Sequence, residues 1–427
     1  MKFTILFSLL LSCFSHANEK PNILLIMCDD LGFSDLGCYG GEMKTPNLDK
    51  LASKGIRFTG FKNTSRCCPS RAALMTGRHQ HSVDMGWMSA VDENRPGYRG
   101  QLSDKVPTIA EILRHQGYTT YLSGKWHLTL DSNFEDPKAV PNGSWPSQRG
   151  FSHSYGTLAG GGDYWKPKSL ANNLTRIPSE KLDKDYYYTH AITENAVDFI
   201  EKHDTQKPLF LYLAHYAPHR PLQAPEHRIE QCMERYKDGY DALRQQRFNR
   251  LKELNIITGD HTLPNHQSEY AGNRPTWTSL SEQQQKAWTR EMATYAAMVE
   301  IMDDGIGKVM QSLKAKGIDK NTLVLFLSDN GATAEGGQIS QLAADLSNTP
   351  YRSYKKFSYE GGISSPLIVH YPEKFTPQAG TLLRNGCHIV DILPTCLDLA
   401  GITSPASSKK KKLPKLAGTN ISPPCIR

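Results

Sequence analysis

The feature that most constrains the fold is a run with no alternation in it. From Asn22 to Cys28 (NILLIMC) the chain reads as one continuous apolar strand, and it is followed at once by the polar turn Asp29-Asp30-Leu31-Gly32. A strand with one wet face alternates apolar and polar residues. An unbroken run instead predicts a strand covered on both faces, as in a parallel sheet between layers of helices. The arrangement recurs along the chain. Val106 to His115 is a helical pattern opened by Pro107 and ended by Gly117, and it feeds the β-rich run Thr119 to Ser123. Thr189 to His203 precedes Leu209 to Ala214, and Met292 to Lys316 precedes Leu323 to Leu327. Repeated helix–strand units predict an α/β fold with a mostly parallel central sheet sandwiched by helices.

Two shorter helices are expected at Thr45 to Lys54, where Leu48 and Leu51 keep helical spacing between a Thr-Pro start and Gly55, and at Ser70 to Thr76. Residues 221–281 are charged and irregular, with helical propensity from Ile229 to Leu254, and read as an insertion over the sheet edge. Such a segment either shapes a substrate pocket or is a surface excursion.

The first seventeen residues carry Lys2, an apolar run from Ile5 to Leu11 and the small-x-small ending Ser15-His16-Ala17, the pattern of a cleaved signal peptide. A lipoprotein alternative would cleave before Cys13 in Leu10-Leu11-Ser12-Cys13, with a very short leader. Both readings export the protein, to the periplasm or the medium. No later segment approaches the roughly 20 apolar residues that span a bilayer, so no transmembrane segment is expected. The remaining length suits one large domain with one or two smaller units. The formal charge is +7, and Lys409 to Lys412 supply four positive charges in a Ser-, Lys- and Pro-rich tail. A mild excess of base suits an acidic substrate. No basic stripe interleaved with aromatics argues for nucleic acid.

In open α/β sheets, ligands sit beyond the carboxyl ends of the strands. Chemistry-bearing residues follow the predicted strands: Asp29-Asp30, Lys125 with His127, His215 with His219, and Asp329-Asn330. Each alone is an ordinary turn, cap or core residue. Together they offer three carboxylates and an amide oxygen, hard donors that suit a single divalent cation, Ca²⁺ or Mg²⁺, rather than a thiophilic metal. His127 and His219, with Lys125 and Lys355, would add proton carriers and positive charge for cleaving an ester with an anionic head. The nine cysteines contain no C-x-x-C pair, which disfavours a thiolate metal site. Cys28, Cys38, Cys232, Cys387, Cys396 and Cys425 read as core thiols or an occasional bridge.

Cys67-Cys68-Pro69-Ser70-Arg71-Ala72-Ala73-Leu74-Met75-Thr76-Gly77-Arg78 resembles the signature of the type I sulfatases, formylglycine-dependent members of the alkaline phosphatase-like superfamily that include bacterial arylsulfatases. Gly124-Lys125-Trp126-His127, Ala217-Pro218-His219, Ser328-Asp329-Asn330-Gly331 and Lys355 before Tyr359-Glu360-Gly361-Gly362 resemble further family motifs in the same order. Val390 to Thr395 resembles the family's late helix, so the likeness covers about residues 21–405.

The resemblance implies sulfate-ester hydrolysis by a hydrated formylglycine made from Cys67, with Cys68 as the variable position. It implies a Ca²⁺ site of Asp29, Asp30, Asp329 and Asn330 completed by residue 67. Arg71 would hold the hydrate, Lys125 and Lys355 would grip sulfate oxygens, and His127 and His219 would move protons. His215 falls on no matched position. The implied partners are a sulfated small molecule or carbohydrate and a formylglycine-generating or anaerobic maturation enzyme.

Two departures stand out. Thr129 occupies a position where glycine is frequent, and beyond Gly401 the family's small antiparallel C-terminal subdomain is expected to be mostly replaced by a tail, residues 406–427. The expected organisation is thus leader 1–17, catalytic domain 18–405 and tail. Competing readings are a formylglycine-dependent phosphonate monoester or phosphodiester hydrolase, and a catalytically inactive sulfatase-like binding protein.

Overall fold

The apolar run Asn22–Cys28 forms strand β1 with all seven residues buried. The computed structural model describes residues 20–130, 140–264, 275–335, 341–405, 407–408, 411–413 and 415–422. The predicted leader, Cys13, Cys425 and Lys409-Lys410 lie outside the described residues, as do residues 265–274 of the charged segment.

The remaining strands are β2 (Ile56–Phe58), β3 (Phe61–Lys62), β4 (Thr119–Gly124), β5 (His153–Thr157), β6 (Leu170–Asn172) and β7 (Thr175–Arg176). They continue with β8 (Leu209–Ala214), β9 (Thr322–Ser328), β10 (Leu367–His370), β11 (Thr381–Leu383), β12 (Cys387–His388), β13 (Ser407–Ser408) and β14 (Lys411–Lys412). Ten of them form one sheet in the order β11-β2-β10-β9-β1-β8-β4-β5-β6-β7. Its centre is parallel, from β9 through β1, β8 and β4 to β5. Strand β10 runs antiparallel to β9 and β2, and β6 runs antiparallel to β5 and β7. The sheet is therefore mostly parallel, as the unbroken apolar runs require.

The helices are α1 (Pro46–Lys54), α2 (Cys67–Thr76), α3 (Ile109–His115), α4 (Tyr188–Lys202), α5 (Glu226–Met233) and α6 (Tyr240–Glu253). They continue with α7 (Glu282–Ala315), α8 (Gln341–Ser347), α9 (Glu360–Ile363), α10 (Pro372–Phe375) and α11 (Ile392–Leu399). Leu24 and Ile26 of β1 enter a core shared with α1, α4, α5, α6 and α7, whereas Ile23, Leu25 and Met27 enter one shared with α2, α3 and α11. Each fully buried aliphatic side chain of this kind contributes about 1.5–3 kcal/mol.

Several boundaries differ from expectation for physical reasons. Helix α2 starts at Cys67, a turn before Ser70, because Pro69 sits in the first turn, where its missing N–H has no helical partner to lose. Helix α3 starts at Ile109 with Thr108 as a capping box to Glu111, so Pro107 precedes the cap. Helix α7 begins at Glu282, ten residues before the expected start, behind a Ser281–Gln284 capping box. Its first turns are polar and carry no apolar periodicity to read. The propensity from Ile229 to Leu254 is split between α5 and α6, with Gly239 at φ 91° between them. Segment 221–281 packs α5 on α7 and α6 on α8, on one face of the sheet rather than past its edge. Its Ile229, Cys232, Tyr236, Leu243 and Leu251 belong to the core there.

Strand register aligns the chemistry. Cys28 pairs with Ser328, Met27 with Ala214, and Gly124 with Ala214, so the residues following β1, β4, β8 and β9 emerge at one end of the sheet.

Candidate active site

At that end Asp29 and Asp329 are neighbours, because Asp329 N donates to the Cys28 carbonyl at 3.2 Å and Asp30 N to Asp329 Oδ1 at 3.3 Å. Both carboxylates are fully buried and share the guanidinium of Arg71. Its Nη2 reaches Asp29 Oδ2 at 3.2 Å and Asp329 Oδ2 at 3.0 Å, while Nε reaches Asp329 Oδ2 at 3.1 Å. Nη1 donates to the Lys125 carbonyl at 2.9 Å. Arg71 thus directs its donors to the carboxylates and to the backbone after β4.

The lysines close the ring of charge. Lys125 Nζ, fully buried, is hydrogen-bonded to Asp29 Oδ2, and Lys355 Nζ lies 2.8 Å from Asp30 Oδ1. Asn330 Nδ2 donates to Asp30 Oδ1 at 2.6 Å, and His219 Nε2 lies 3.7 Å from Asp30 Oδ2. Cys67, 1 % exposed at the N-terminus of α2, has its sulfur within 4.8 Å of the Cys68 sulfur and of a ring nitrogen of His127. All ten residues singled out in the sequence are therefore in one connected cluster. His215, set aside, is fully buried, and neither ring nitrogen has a hydrogen-bond partner among the described residues.

The electrostatics bear on a cation. Burial pushes the Asp29 carboxyl up, but Lys125, His219 and Arg71 outweigh it and hold it well below the usual carboxylate range. Burial and the charge of Asp29 push Asp329 well above its ordinary value, against the pull of Arg71. Two buried acceptors, Asp29 Oδ1 and Asn330 Oδ1, have no hydrogen-bond partner among the described residues. Orphaned hard oxygens beside carboxylates are what a divalent cation satisfies, so the donor set fits Ca²⁺ or Mg²⁺. Asp29, Asp30 and His219 bring one ligand atom each within 4.8 Å of one another, as do Cys67, Cys68 and His127.

At the other end of the cluster, the hydrogen bond from Cys68 lowers the Cys67 thiol well below its ordinary value, with His127, Lys125 and Lys355 acting in the same sense against burial. Burial depresses His127, and it depresses His219 to about 4 despite the attraction of Asp30 and Asp29. His219 Nδ1 donates to the Arg220 carbonyl at 2.6 Å, which turns Nε2 toward Asp30 and the site.

Some of the supporting residues carried no signal of their own in the sequence. Gly160 packs on the ring of His127 so closely that a Cβ there would lie 1.8 Å from Cε1 and Nε2. The run Gly160-Gly161-Gly162 was the available clue. The ring of Tyr216 lies 5.2 Å from Lys125 Nζ, and its hydroxyl is 3.1 Å from His219 Nδ1. Asp30 and His127 both adopt left-handed backbone, at φ 65° and 58°, a costly conformation for non-glycine residues that clusters at functional sites. Next to Cys67 in the chain, Arg66 stacks its guanidinium 4.4 Å from the ring centre of Trp87, which is 39 % exposed.

Known proteins resemble the chain in sequence and in fold. The Sulfatase family model matches residues 21–402. An arylsulfatase of Klebsiella aerogenes is 32 % identical over 455 residues, covering 97 % of this chain and 94 % of its own. The crystal structure of Ps i-CgsB in complex with k-i-k-neocarrahexaose superposes with a TM-score of 0.66 at 27 % identity, covering 94 % of this chain and 75 % of the other. The phosphonate monoester hydrolase of Agrobacterium radiobacter shares the fold at a TM-score of 0.59 and 22 % identity, covering 94 % and 76 % of the two chains.

Proposed function

The chain belongs to the sulfatase family and is a sulfuric ester hydrolase, and from that premise we propose that it works through a formylglycine made from Cys67, beside a Ca²⁺ held by Asp29, Asp30, Asp329, Asn330 and residue 67. The observation that carries this reading is the arrangement around Cys67. A buried helix N-terminus presents the side chain to His127, Lys125 and Lys355, while two orphaned oxygens wait on the carboxylate side. Helix N-termini favour developing negative charge.

A bound cation would supply the positive charge that lets a hydroxyl ionise and a sulfate oxygen approach. The residues of the chain do the rest. Hydrated formylglycine carries two hydroxyls on one carbon. One, ionised, attacks sulfur in line, the S–O bond to the alcohol breaks, and the leaving oxygen takes a proton from His219, which enters this step protonated at Nε2. His127 then takes the proton of the second hydroxyl, the C=O bond re-forms, sulfate leaves with the electrons of the C–O bond, and water adds to the aldehyde to restore the hydrate. Lys125 and Lys355 hold sulfate oxygens throughout. Arg71 keeps Asp29 and Asp329 fixed and contributes positive charge toward the hydrate of residue 67.

For the substrate, an exposed Trp87 braced by Arg66 one residue before Cys67 offers a flat apolar face and a cation at the entrance, which suits a sulfated carbohydrate. The hexaose bound by Ps i-CgsB supports the same class. Export by the leader, to the periplasm or the medium, and maturation by a formylglycine-generating or anaerobic enzyme complete the proposal. Among the described residues, no helix is long and apolar enough to cross a membrane.

A second reading, phosphonate monoester hydrolysis, draws on the fold shared with the Agrobacterium enzyme. Turnover of an aryl sulfate and an aryl phosphonate by the same preparation separates the two. The sulfate reading predicts faster sulfate release, abolished in Cys67→Ala; faster phosphonate cleavage would overturn it.

A further inference from the structure

Behind the Asp29-Asp30 turn, on the side away from the reacting groups, lies a buried polar chain that the chemistry above does not use. Tyr295, on α7 and 2 % exposed, places its hydroxyl 3.0 Å from the Asp30 carbonyl and 2.7 Å from Asp35 Oδ2. Asp35 Oδ2 also accepts from Gly32 N at 2.8 Å, so the backbone on both sides of Leu31 is held by one tyrosine–carboxylate pair. The other carboxylate oxygen, Asp35 Oδ1, accepts from Arg247 Nη1 at 2.7 Å. Arg247 belongs to α6, in the charged segment, and is itself gripped by Glu42, whose two oxygens accept from Nε and Nη2 at 2.7 Å each. Arg247 and Asp35 are 1 % and 0 % exposed as an ion pair.

What this chain holds is an awkward conformation. Asp30 has φ 65°, and its side chain must point at Lys355, Asn330 and His219 while its carbonyl points the opposite way. The carbonyl is the handle: with it tied to Tyr295, the carboxylate can face only the cluster. A buried ion pair is weak evidence for stability, because desolvation offsets its attraction, but it fixes geometry well. We infer that Tyr295, Asp35 and Arg247 are positioning residues for the cation site, setting its affinity through the Asp30 turn, and that segment 221–281 contributes to the site through Arg247. This rests on the cation reading given above.

Calcium titration calorimetry on the full chain, stripped with chelator, tests it in the parent protein and in Tyr295→Phe, Asp35→Asn and Arg247→Lys. Outer partners of metal ligands are worth about ten- to a hundredfold in affinity. The expected result is Ca²⁺ binding weakened by about tenfold or more in each variant, with circular dichroism still that of the folded protein. Tyr295→Phe removes one hydroxyl and keeps the ring, so it remains informative if the charge variants fail to fold. Glu226→Gln breaks the exposed pair between Glu226 of the same segment and Arg290 of α7, and should leave Ca²⁺ affinity unchanged. Folded variants that bind Ca²⁺ like the parent would overturn the inference alone. A parent protein that takes up no Ca²⁺ would overturn both it and the cation reading.

Discussion

Asn330 Nδ2 donates to Asp30 Oδ1 at 2.6 Å, which commits the amide's nitrogen to one carboxylate and leaves its buried Oδ1 with no partner among the described residues. A buried acceptor left unmade costs about 1–3 kcal/mol. Ca²⁺ should relieve it. At a hundred times the dissociation constant, binding to the folded state alone adds about 2.7 kcal/mol. Thermal melts with and without chelator should therefore separate by several degrees, and the gap should vanish in Asp329→Ala. Superimposable melts in the parent protein would count against a cation at this site.

His219 is assigned to the leaving group, so its importance should depend on how badly that group needs a proton. An acidic phenol leaves unaided; an alkyl alcohol does not. His219→Ala should lower kcat about a hundredfold or more on an alkyl sulfate and by roughly tenfold or less on an activated aryl sulfate. Equal losses on both would move His219 to another role.

The contact between Gly160 and the His127 ring leaves no room for a methyl group, since its carbon would overlap Cε1 and Nε2. Gly160→Ala should displace the imidazole and cost about a hundredfold in kcat, the scale of a misplacement near 1 Å. In a His127→Ala background the same change should cost almost nothing, because the two substitutions remove one interaction. Additive losses would show that Gly160 acts elsewhere.

His215 gives a pH signature unconnected with catalysis. Burial lowers its ring from 6.5 to about 3. A histidine depressed on folding gives stability that is fully present above the unfolded value and is lost as pH falls toward the folded one. By about pH 4.5 the loss should reach about 3 kcal/mol. His215→Phe removes this titration, so its melting temperature should fall less steeply than the parent's from neutrality to that pH. Parallel curves would mean that the ring is not held neutral.

Much of the site was legible because a parallel sheet delivers its loops to one edge: once β1, β8 and β9 could be found as apolar runs and β4 as a β-rich run after a helix, the residues after them had to meet. Strands β1 and β8 have the bounds expected from the sequence, since nothing but apolar residues lies within Leu209–Ala214. Helix α7 was cut short in that reading because its first turns are polar and exposed, and α2 because a proline in the first turn looks like a stop. The brace of Asp35, Arg247 and Tyr295 had no local signal: its members are separated by 212 and 260 residues and become neighbours only when α6 and α7 pack on the sheet. The glycine beneath His127 belongs to the same kind, a fit made by tertiary contact.

The central claim is that residue 67 acts as formylglycine, and peptide mass spectrometry of the protein purified from its own host tests it most directly. The account predicts that the peptide containing residue 67 carries an aldehyde in place of the Cys67 thiol, with Cys68 unchanged, in a fraction that tracks sulfate release. A fully active preparation in which Cys67 remains a thiol throughout would contradict it.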